Sequence, residues 1–312
     1  MSKIVYIVND RPKTAIDILR ENGFEVLVGN GEFWNEDYLS RCWALMPGRG
    51  YLTKENLEKA PNLKLICKQG VGLDRIDVKA CEERGIRVAN TPATNAISVA
   101  EHTLTLMLAC AKQIYPITMS IRGEVPDNSC AQKYPSNELF HKTLGIIGFG
   151  NIGRRVAKMA GGFDMKIIAY EKYRDKLDMS QIDGKIEITG NLDKVLAEAD
   201  FITLHVSGVE ENRGLIGNRE LELMKKNAIL INTTRGFVID EDALYDVLAK
   251  KRIAAAGLDV FVQEPLKPGN KLLKLENVMA TVHSAANTDE ARQRSYDYCA
   301  RTIMEFAEVN PE

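Results

Sequence analysis

The sequence predicts an α/β protein of two doubly wound parallel-sheet domains in series. Short apolar runs alternate with longer helical patterns, which is the signature of βαβ units. The alternation begins afresh after a loop-rich stretch near the middle. The length, 312 residues, matches two domains of about 150 residues each.

In the first half the strand candidates are Ile4–Val8, Glu25–Val28, Ala44–Met46, Leu63–Cys67 and Arg87–Ala89. Helix candidates lie between them near Lys13–Asn22, Thr53–Ala60 and Val78–Arg84, and Gly23 and Gly85 stop two of these just before a strand. A long apolar-rich helical pattern follows from Asn95 to Ile114, opened by Thr91-Pro92. Pro116, Pro126, Asp127, Asn128, Pro135, Ser136 and Asn137 then mark a loop-rich stretch. The second half offers Thr143–Ile147, Lys166–Tyr170, Phe201–His205, Ala228–Asn232, Ala255–Leu258 and Val278–Thr281 as strands. The last segment, Asp289–Glu308, reads as a helix with no strand after it, and is expected to pack back on the first domain. The expected domains are therefore 1–98 with 286–312, and 99–285.

Composition excludes several classes. Lys plus Arg is 41 and Asp plus Glu is 43, a net charge of −2. So balanced a chain lacks the electrostatic footprint of a nucleic-acid binder and advertises no basic face to a membrane. No stretch approaches the roughly 20 apolar residues that span a bilayer. The run Ile4–Val8 is too short for a signal-peptide core. None of the six cysteines stands in a C-x-x-C pair, so no metal is expected. Without an export signal they are expected as free thiols in the cytoplasm.

The strongest local signal is Gly148-Phe149-Gly150-Asn151-Ile152-Gly153, after the strand Thr143–Ile147 and before a helical pattern over Arg154–Ala160. Gly148 allows the tight turn, Gly150 lets the backbone approach a pyrophosphate, and Gly153 lets helix and strand pack closely. The helix N-terminus then offers N–H groups and partial positive charge to the phosphates. Glu171, 18 residues past Gly153, ends the next strand, where an acidic residue binds ribose hydroxyls. Its carboxylate repels a 2′-phosphate and favours NAD over NADP, although Lys172 and Arg174 stand nearby.

Three ionisable residues follow strand ends in the second sheet: Arg235, Glu264 and His283. Ligands of open parallel sheets bind beyond the carboxyl ends of the strands. The set suits hydride transfer at a hydroxyl-bearing carbon. A histidine takes and returns the hydroxyl proton near neutrality. A carboxylate raises its pKa and fixes its tautomer. An arginine fork holds a substrate carboxylate by two hydrogen bonds. Taken singly, each is more ordinarily a packed or solvated residue; their joint placement carries the inference.

Thr143–Gly153, Asn232–Gly236, Gly257–Pro265 and His283–Ala286 together resemble the D-isomer-specific 2-hydroxyacid dehydrogenases, and the likeness extends upstream to Gly70–Asp77 and Asn90–His102. The resemblance implies a Rossmann NAD-binding domain, a flavodoxin-like substrate domain and a homodimer. It implies His283 as acid/base, Glu264 as its partner and Arg235 as the carboxylate anchor. It places Asn151 and Ile152 at the pyrophosphate and His205, Val206 and Ser207 beside the adenosine. Thr233, Thr234, Asp259 and Ala285, with Arg235 and His283, fall on the nicotinamide side. Lys68, Val71 and Gly72 join Arg235 and His283 at the substrate.

Departures from the family pattern are Ser207 for a proline, Lys68 for an arginine, His141 for a glycine, and no tryptophan in Gly123–Leu139. Lys68 is a point charge without a bidentate fork. With Arg49 it is a candidate to meet a second anionic group, a phosphate or a carboxylate, although a solvated surface charge is the commoner role for either. A phosphorylated 2-hydroxy acid like 3-phosphoglycerate, or a dicarboxylic one, is the expectation. As the sequence ends at Glu312, no regulatory domain after the catalytic core is expected. The competing class is a dinucleotide-sensing binding protein of the same fold, as in the C-terminal-binding-protein corepressors. The complete Arg235, Glu264 and His283 set favours the enzyme.

Overall fold

The computed structural model describes residues 3–9, 13–31, 34–48, 50–123 and 132–310. Arg49 and most of the proline-rich linker, including Pro126, Asp127 and Asn128, lie outside these. The chain divides into two units, 1–95 with 286–312, and 96–285.

The first unit holds five strands: β1 (Ile4–Ile7), β2 (Glu25–Val28), β3 (Ala44–Met46), β4 (Leu65–Lys68) and β5 (Arg87–Asn90). They form one parallel sheet in the order β2-β1-β3-β4-β5. Buried parallel strands read as continuous apolar runs because both faces are covered. In β1, Val5 and Ile7 enter one core and Tyr6 enters the other. The closing helix Asp289–Val309 is capped by Thr288, whose hydroxyl accepts from the Ala291 N–H. It sends Tyr296, Cys299, Ala300 and Ile303 into the same core as Val5 and Ile7.

The second unit holds β6 (Thr143–Ile147), β7 (Lys166–Tyr170), β8 (Ile186–Thr189), β9 (Phe201–Leu204), β10 (Ile229–Asn232), β11 (Ala255–Leu258) and β12 (Val278–Ala280). They are all parallel, in the order β12-β11-β10-β9-β6-β7-β8. The chain starts at β6, runs outward to β8, then returns to the other side of β6 with β9. That reversal creates the crevice where doubly wound sheets bind ligands. The alternation recurs here: Leu230 enters one core, Ile229 and Ile231 the other.

Three sequence expectations need correction. Strand β8 was not anticipated: it is an edge strand, half-buried at all four positions, and so lacks an apolar run. The helix expected over Asn95–Ile114 ends at Ala111. Gln113 takes φ +53, and a second helix, Ile114–Gly123, starts at 62° to the first. Pro116 therefore begins no loop; it sits in a first helical turn, where its missing N–H has no helical partner to lose. Short helices at Glu36–Arg41, Leu192–Glu198, Asn218–Leu223 and Glu241–Ala249 also went unread. His141 adopts φ +56, a left-handed conformation that explains the glycine usual at this place. Among the described residues no single helix is long and apolar enough to cross a membrane.

Candidate active site

Because the seven strands of the second unit run parallel, their exits share one edge of the sheet. That edge carries the Gly148 turn after β6, Glu171 after β7, His205 after β9, Arg235 after β10, Glu264 after β11 and His283 after β12.

The Gly148 turn is shaped by missing side chains. Gly148 has φ +95, and a Cβ there would lie 2.7 Å from the His205 carbonyl carbon. A Cβ at Gly153 would lie 2.3 Å from the Gly148 carbonyl oxygen, so the helix could not approach. Gly150 differs. It precedes the helix Asn151–Ala160, no side chain caps it, and a Cβ there would meet nothing within 4 Å. An open, uncapped helix N-terminus is a ready anion site. Asn151 is exposed and Ile152 half-buried beside it.

Glu171 is already oriented. Its Oε2 accepts from the Phe149 N–H at 2.9 Å and its Oε1 from the Tyr173 N–H at 3.0 Å. Lys172 is paired with Glu211, and Arg174 with Asp175 at 3.7 Å. The backbone N–H of His205 donates to Ile147 at 2.7 Å. As a residue His205 keeps some exposure, yet both ring nitrogens are buried and without a partner. Burial pushes its pKa down to about 3, so the ring is neutral. Val206 is half-buried and Ser207 exposed, the latter's carbonyl accepting from Asn212 at 2.9 Å.

After β10 the buried Asn232 organises the turn. Its Oδ1 accepts from both the N–H and the hydroxyl of Thr234 at 3.0 Å, and its Nδ2 donates to the Arg235 carbonyl at 2.9 Å. Arg235 Nη1 donates to the Thr234 carbonyl at 2.8 Å. A Cβ at Gly208 would sit 2.7 Å from Arg235 Cγ, so Gly208 makes room for this side chain. Thr233 and Thr234 are both 8% exposed; their hydroxyls turn inward, toward Thr103 and Asn232.

His283 Nδ1 lies 2.7 Å from Glu264 Oε2. An ionised carboxylate only accepts, so Nδ1 carries a proton and Nε2 is the nitrogen left for proton exchange. Both side chains keep access to solvent, at 44% for His283 and 25% for Glu264. His283 itself has φ +53, an uncommon conformation for a residue with a Cβ.

Asp259 holds that turn. It has no exposed surface, and it accepts from Thr281 Oγ1 at 2.6 Å, the Ser284 N–H at 2.8 Å and the Ala285 N–H at 2.9 Å. Its carbonyl accepts from the His283 N–H at 2.6 Å. Burial alone would raise the carboxyl pKa; the hydrogen bonds from His102, Thr281, Ser284 and Ala285 outweigh it and hold the group below its ordinary range. The polar groups of Asp259 are thus spent on this turn, and the Ala285 N–H on Asp259.

Arg235, Glu264 and His283 are brought together on one sheet edge with the Gly148 turn. Lys68, Val71 and Gly72 belong to the other unit, at and just beyond the end of β4. Lys68 Nζ donates to the Gln69 carbonyl at 2.9 Å, and Val71 is 51% exposed. Sequence reasoning missed Asn232, Gly208, Thr281 and Ser284. Only Asn232 left a signal, an amide at a strand end before Thr-Thr-Arg-Gly. Among the described residues no cluster of His, Cys, Asp and Glu could hold a metal ion.

The geometry agrees with comparisons to known proteins. Residues 104–285 match the D-isomer specific 2-hydroxyacid dehydrogenase, NAD binding domain. A D-3-phosphoglycerate dehydrogenase of Methanocaldococcus jannaschii is 44% identical over 303 residues, 96% of this chain and 56% of that protein. The chain thus spans little more than half the length of that relative. A hydroxypyruvate reductase of Thermotoga maritima is 44% identical over 245 residues, 78% of this chain and 77% of that one. Among solved structures, a D-lactate dehydrogenase from Aquifex aeolicus complexed with NAD and lactic acid superposes with a TM-score of 0.80. It is 30% identical, covering 98% of this chain and 96% of that one.

Proposed function

This chain belongs to the D-isomer-specific 2-hydroxyacid dehydrogenase family, and on that premise we propose that it transfers hydride between NAD and a D-2-hydroxy acid/2-oxo acid pair. The observation that carries the reading is the 2.7 Å contact between His283 Nδ1 and Glu264 Oε2, on the sheet edge that bears the Gly148 turn.

The uncapped, open helix start at Gly150 fits a pyrophosphate. Glu171 is oriented to take ribose hydroxyls, and with Lys172 engaged by Glu211 it favours NAD over NADP. Asn151, Ile152 and Gly153 hold the phosphates; His205, Val206 and Ser207 flank the adenosine. Thr233, Thr234, Asp259 and Ala285 form the wall on the nicotinamide side. The bound nicotinamide supplies or accepts the hydride. His283 Nε2 gives the proton to the nascent hydroxyl on reduction and takes it back on oxidation. Glu264 accepts from Nδ1 and so orients the ring with Nε2 left for the exchange. Arg235 orients the substrate carboxylate, assisted by Lys68 and the backbone N–H groups of Val71 and Gly72.

For substrate we propose a 2-oxo acid resembling 3-phosphohydroxypyruvate, supported by Lys68 and the likeness to D-3-phosphoglycerate dehydrogenases. We also propose a cytoplasmic homodimer. Ile114, Tyr115, Met119 and Ile121 are exposed apolar residues of one helix, Ile114–Gly123, and support a self-contact there.

The test is NADH oxidation with pyruvate, glyoxylate, hydroxypyruvate, oxaloacetate, 2-oxoglutarate and 3-phosphohydroxypyruvate, against His283→Ala. Turnover lost in the variant, with NADH binding retained, supports the assignment. Tight NADH binding without turnover of any acid overturns the enzyme, and a preference for pyruvate overturns the phosphorylated substrate.

A further inference from the structure

We propose that His102 is a positioning residue for His283, acting through Thr281 and Asp259. What His283 does rests on the functional reading above; the tether does not.

His102 lies on the helix Ala96–Ala111, away from the reacting groups. Its Nε2 is 3.0 Å from Thr281 Oγ1 and 3.5 Å from Asp259 Oδ1. Counting protons fixes the direction of the chain. The Thr281 hydroxyl has a single hydrogen, and at 2.6 Å it goes to the Asp259 carboxylate, which only accepts. Thr281 Oγ1 must therefore accept from His102, so His102 Nε2 bears a proton. The relay is His102 Nε2–H to Thr281 Oγ1–H to Asp259. Asp259 in turn receives the N–H groups of Ser284 and Ala285, the two residues after His283.

This matters because His283 stands at φ +53. A residue with a Cβ leaves that conformation unless its neighbours over-determine it. The pins on either side of His283 are Thr281 and the Ser284-Ala285 N–H groups, and all of them converge on one carboxylate. His102 completes the coordination of Thr281 from outside the turn.

The neighbouring Thr103 does the parallel service for the turn after β10. Its hydroxyl donates to the Val99 carbonyl at 2.8 Å, so at 3.2 Å it accepts from the Thr233 hydroxyl. Two consecutive residues of one helix thus hold the turns that present Arg235 and His283. The charged group facing His102 is Asp259, and that facing His283 is Glu264.

The test compares His102→Leu, which removes the donor at similar bulk, with His102→Gln, whose Nε2 donates at a similar reach. The first readout needs no turnover: hydrogen exchange of the Ser284 and Ala285 amides, with the His283 imidazole titration by NMR. Leu is expected to speed exchange at these amides about tenfold or more and to shift the titration, and Gln to restore both. The second readout is kcat, expected to fall about ten- to a hundredfold in His102→Leu with KM within about twofold, and to recover in His102→Gln. Unchanged exchange and titration in His102→Leu overturn the tether. Equal damage from Leu and Gln, with equal loss of Tm, also overturns it, leaving a packing role. If the wild type reduces no 2-oxo acid, the functional reading fails while amide exchange still decides the tether.

Discussion

The turn after β6 and the turn after β12 both present chemistry at the same sheet edge, and they are built by opposite means. Gly148 and Gly153 shape the first by leaving out atoms that would lie 2.7 and 2.3 Å from backbone. The second is shaped by adding a buried carboxylate, Asp259, onto which Thr281, Ser284 and Ala285 converge. The first device is written in a local run of glycines, although the atom excluded at Gly148 faces His205 on the next strand exit. The second joins residues more than twenty positions apart. A turn made of absences tolerates no added atom at Gly148 or Gly153, whereas a turn made of hydrogen bonds fails when its acceptor is altered.

The sharpest way to break the second turn is Asp259→Asn. The amide keeps one acceptor oxygen and turns an NH2 toward the backbone N–H that faced the other, so at least one buried hydrogen bond becomes a repulsion. Loss of a buried charged acceptor costs about 2–4 kcal/mol, read by urea unfolding. With His283 released from φ +53, kcat is expected to fall about a hundredfold or more. Stability and kcat both close to wild type would mean that the backbone alone holds the turn.

Gly153→Ala breaks the first turn by the opposite act. The added Cβ must displace backbone, not a flexible side chain, so a cost of about 1–3 kcal/mol is expected. NADH affinity should fall with it, because the helix that receives the phosphates is pushed off the strand. Fluorescence titration reads the affinity and thermal unfolding the stability. Retained affinity would show that the close approach serves packing alone.

Legibility in the sequence follows this division. The inner strands of both sheets were readable because double burial makes each a short apolar run; edge strands are only partly covered and signal less, so Arg87–Asn90 was read and Ile186–Thr189 was missed. The Gly148 turn was readable because its glycines fall within six residues, while the packing of Gly148 against the His205 backbone was not. Arg235, Glu264 and His283 were readable by their positions after strand ends. The inward orientation of Thr233, Thr234 and Ala285 was not, nor was the place of His102. Those depend on which helix packs over which strand end, and no local pattern encodes it.

His205 sharpens the comparison by coupling the Gly148 turn to acid. Its ring is buried and neutral, with a pKa of about 3 against an ordinary 6.5. The unfolded chain therefore binds a proton that the folded chain refuses between these values. Stability is complete above about pH 6.5 and falls as the pH drops toward 3, by about 1.4 kcal/mol for each unit in that window. The carboxyls with lowered pKa, Asp200, Glu210, Glu220 and Asp259, act only further into acid. Urea unfolding at pH 7.0 and 5.5 isolates the histidine, and His205→Gln should remove the difference. An equal slope in the variant would place the acid sensitivity elsewhere.

The smallest expected change to the fold comes from Gly150→Ala, and it separates the two reasons for a glycine. Gly153 is excluded from bearing a Cβ by the protein itself, but at Gly150 a Cβ meets nothing within 4 Å. Its φ of −80 and ψ of −155 are open to any residue. The apo protein should therefore keep its stability, or gain about 0.4–1 kcal/mol from a less flexible unfolded chain. The methyl group would instead occupy the space through which the backbone approaches a pyrophosphate. NADH affinity should fall about tenfold, or about 1.4 kcal/mol, with Tm unchanged in the absence of cofactor. Affinity and Tm falling together would assign Gly150 to the fold. Neither changing would mean that the phosphates bind elsewhere on this edge.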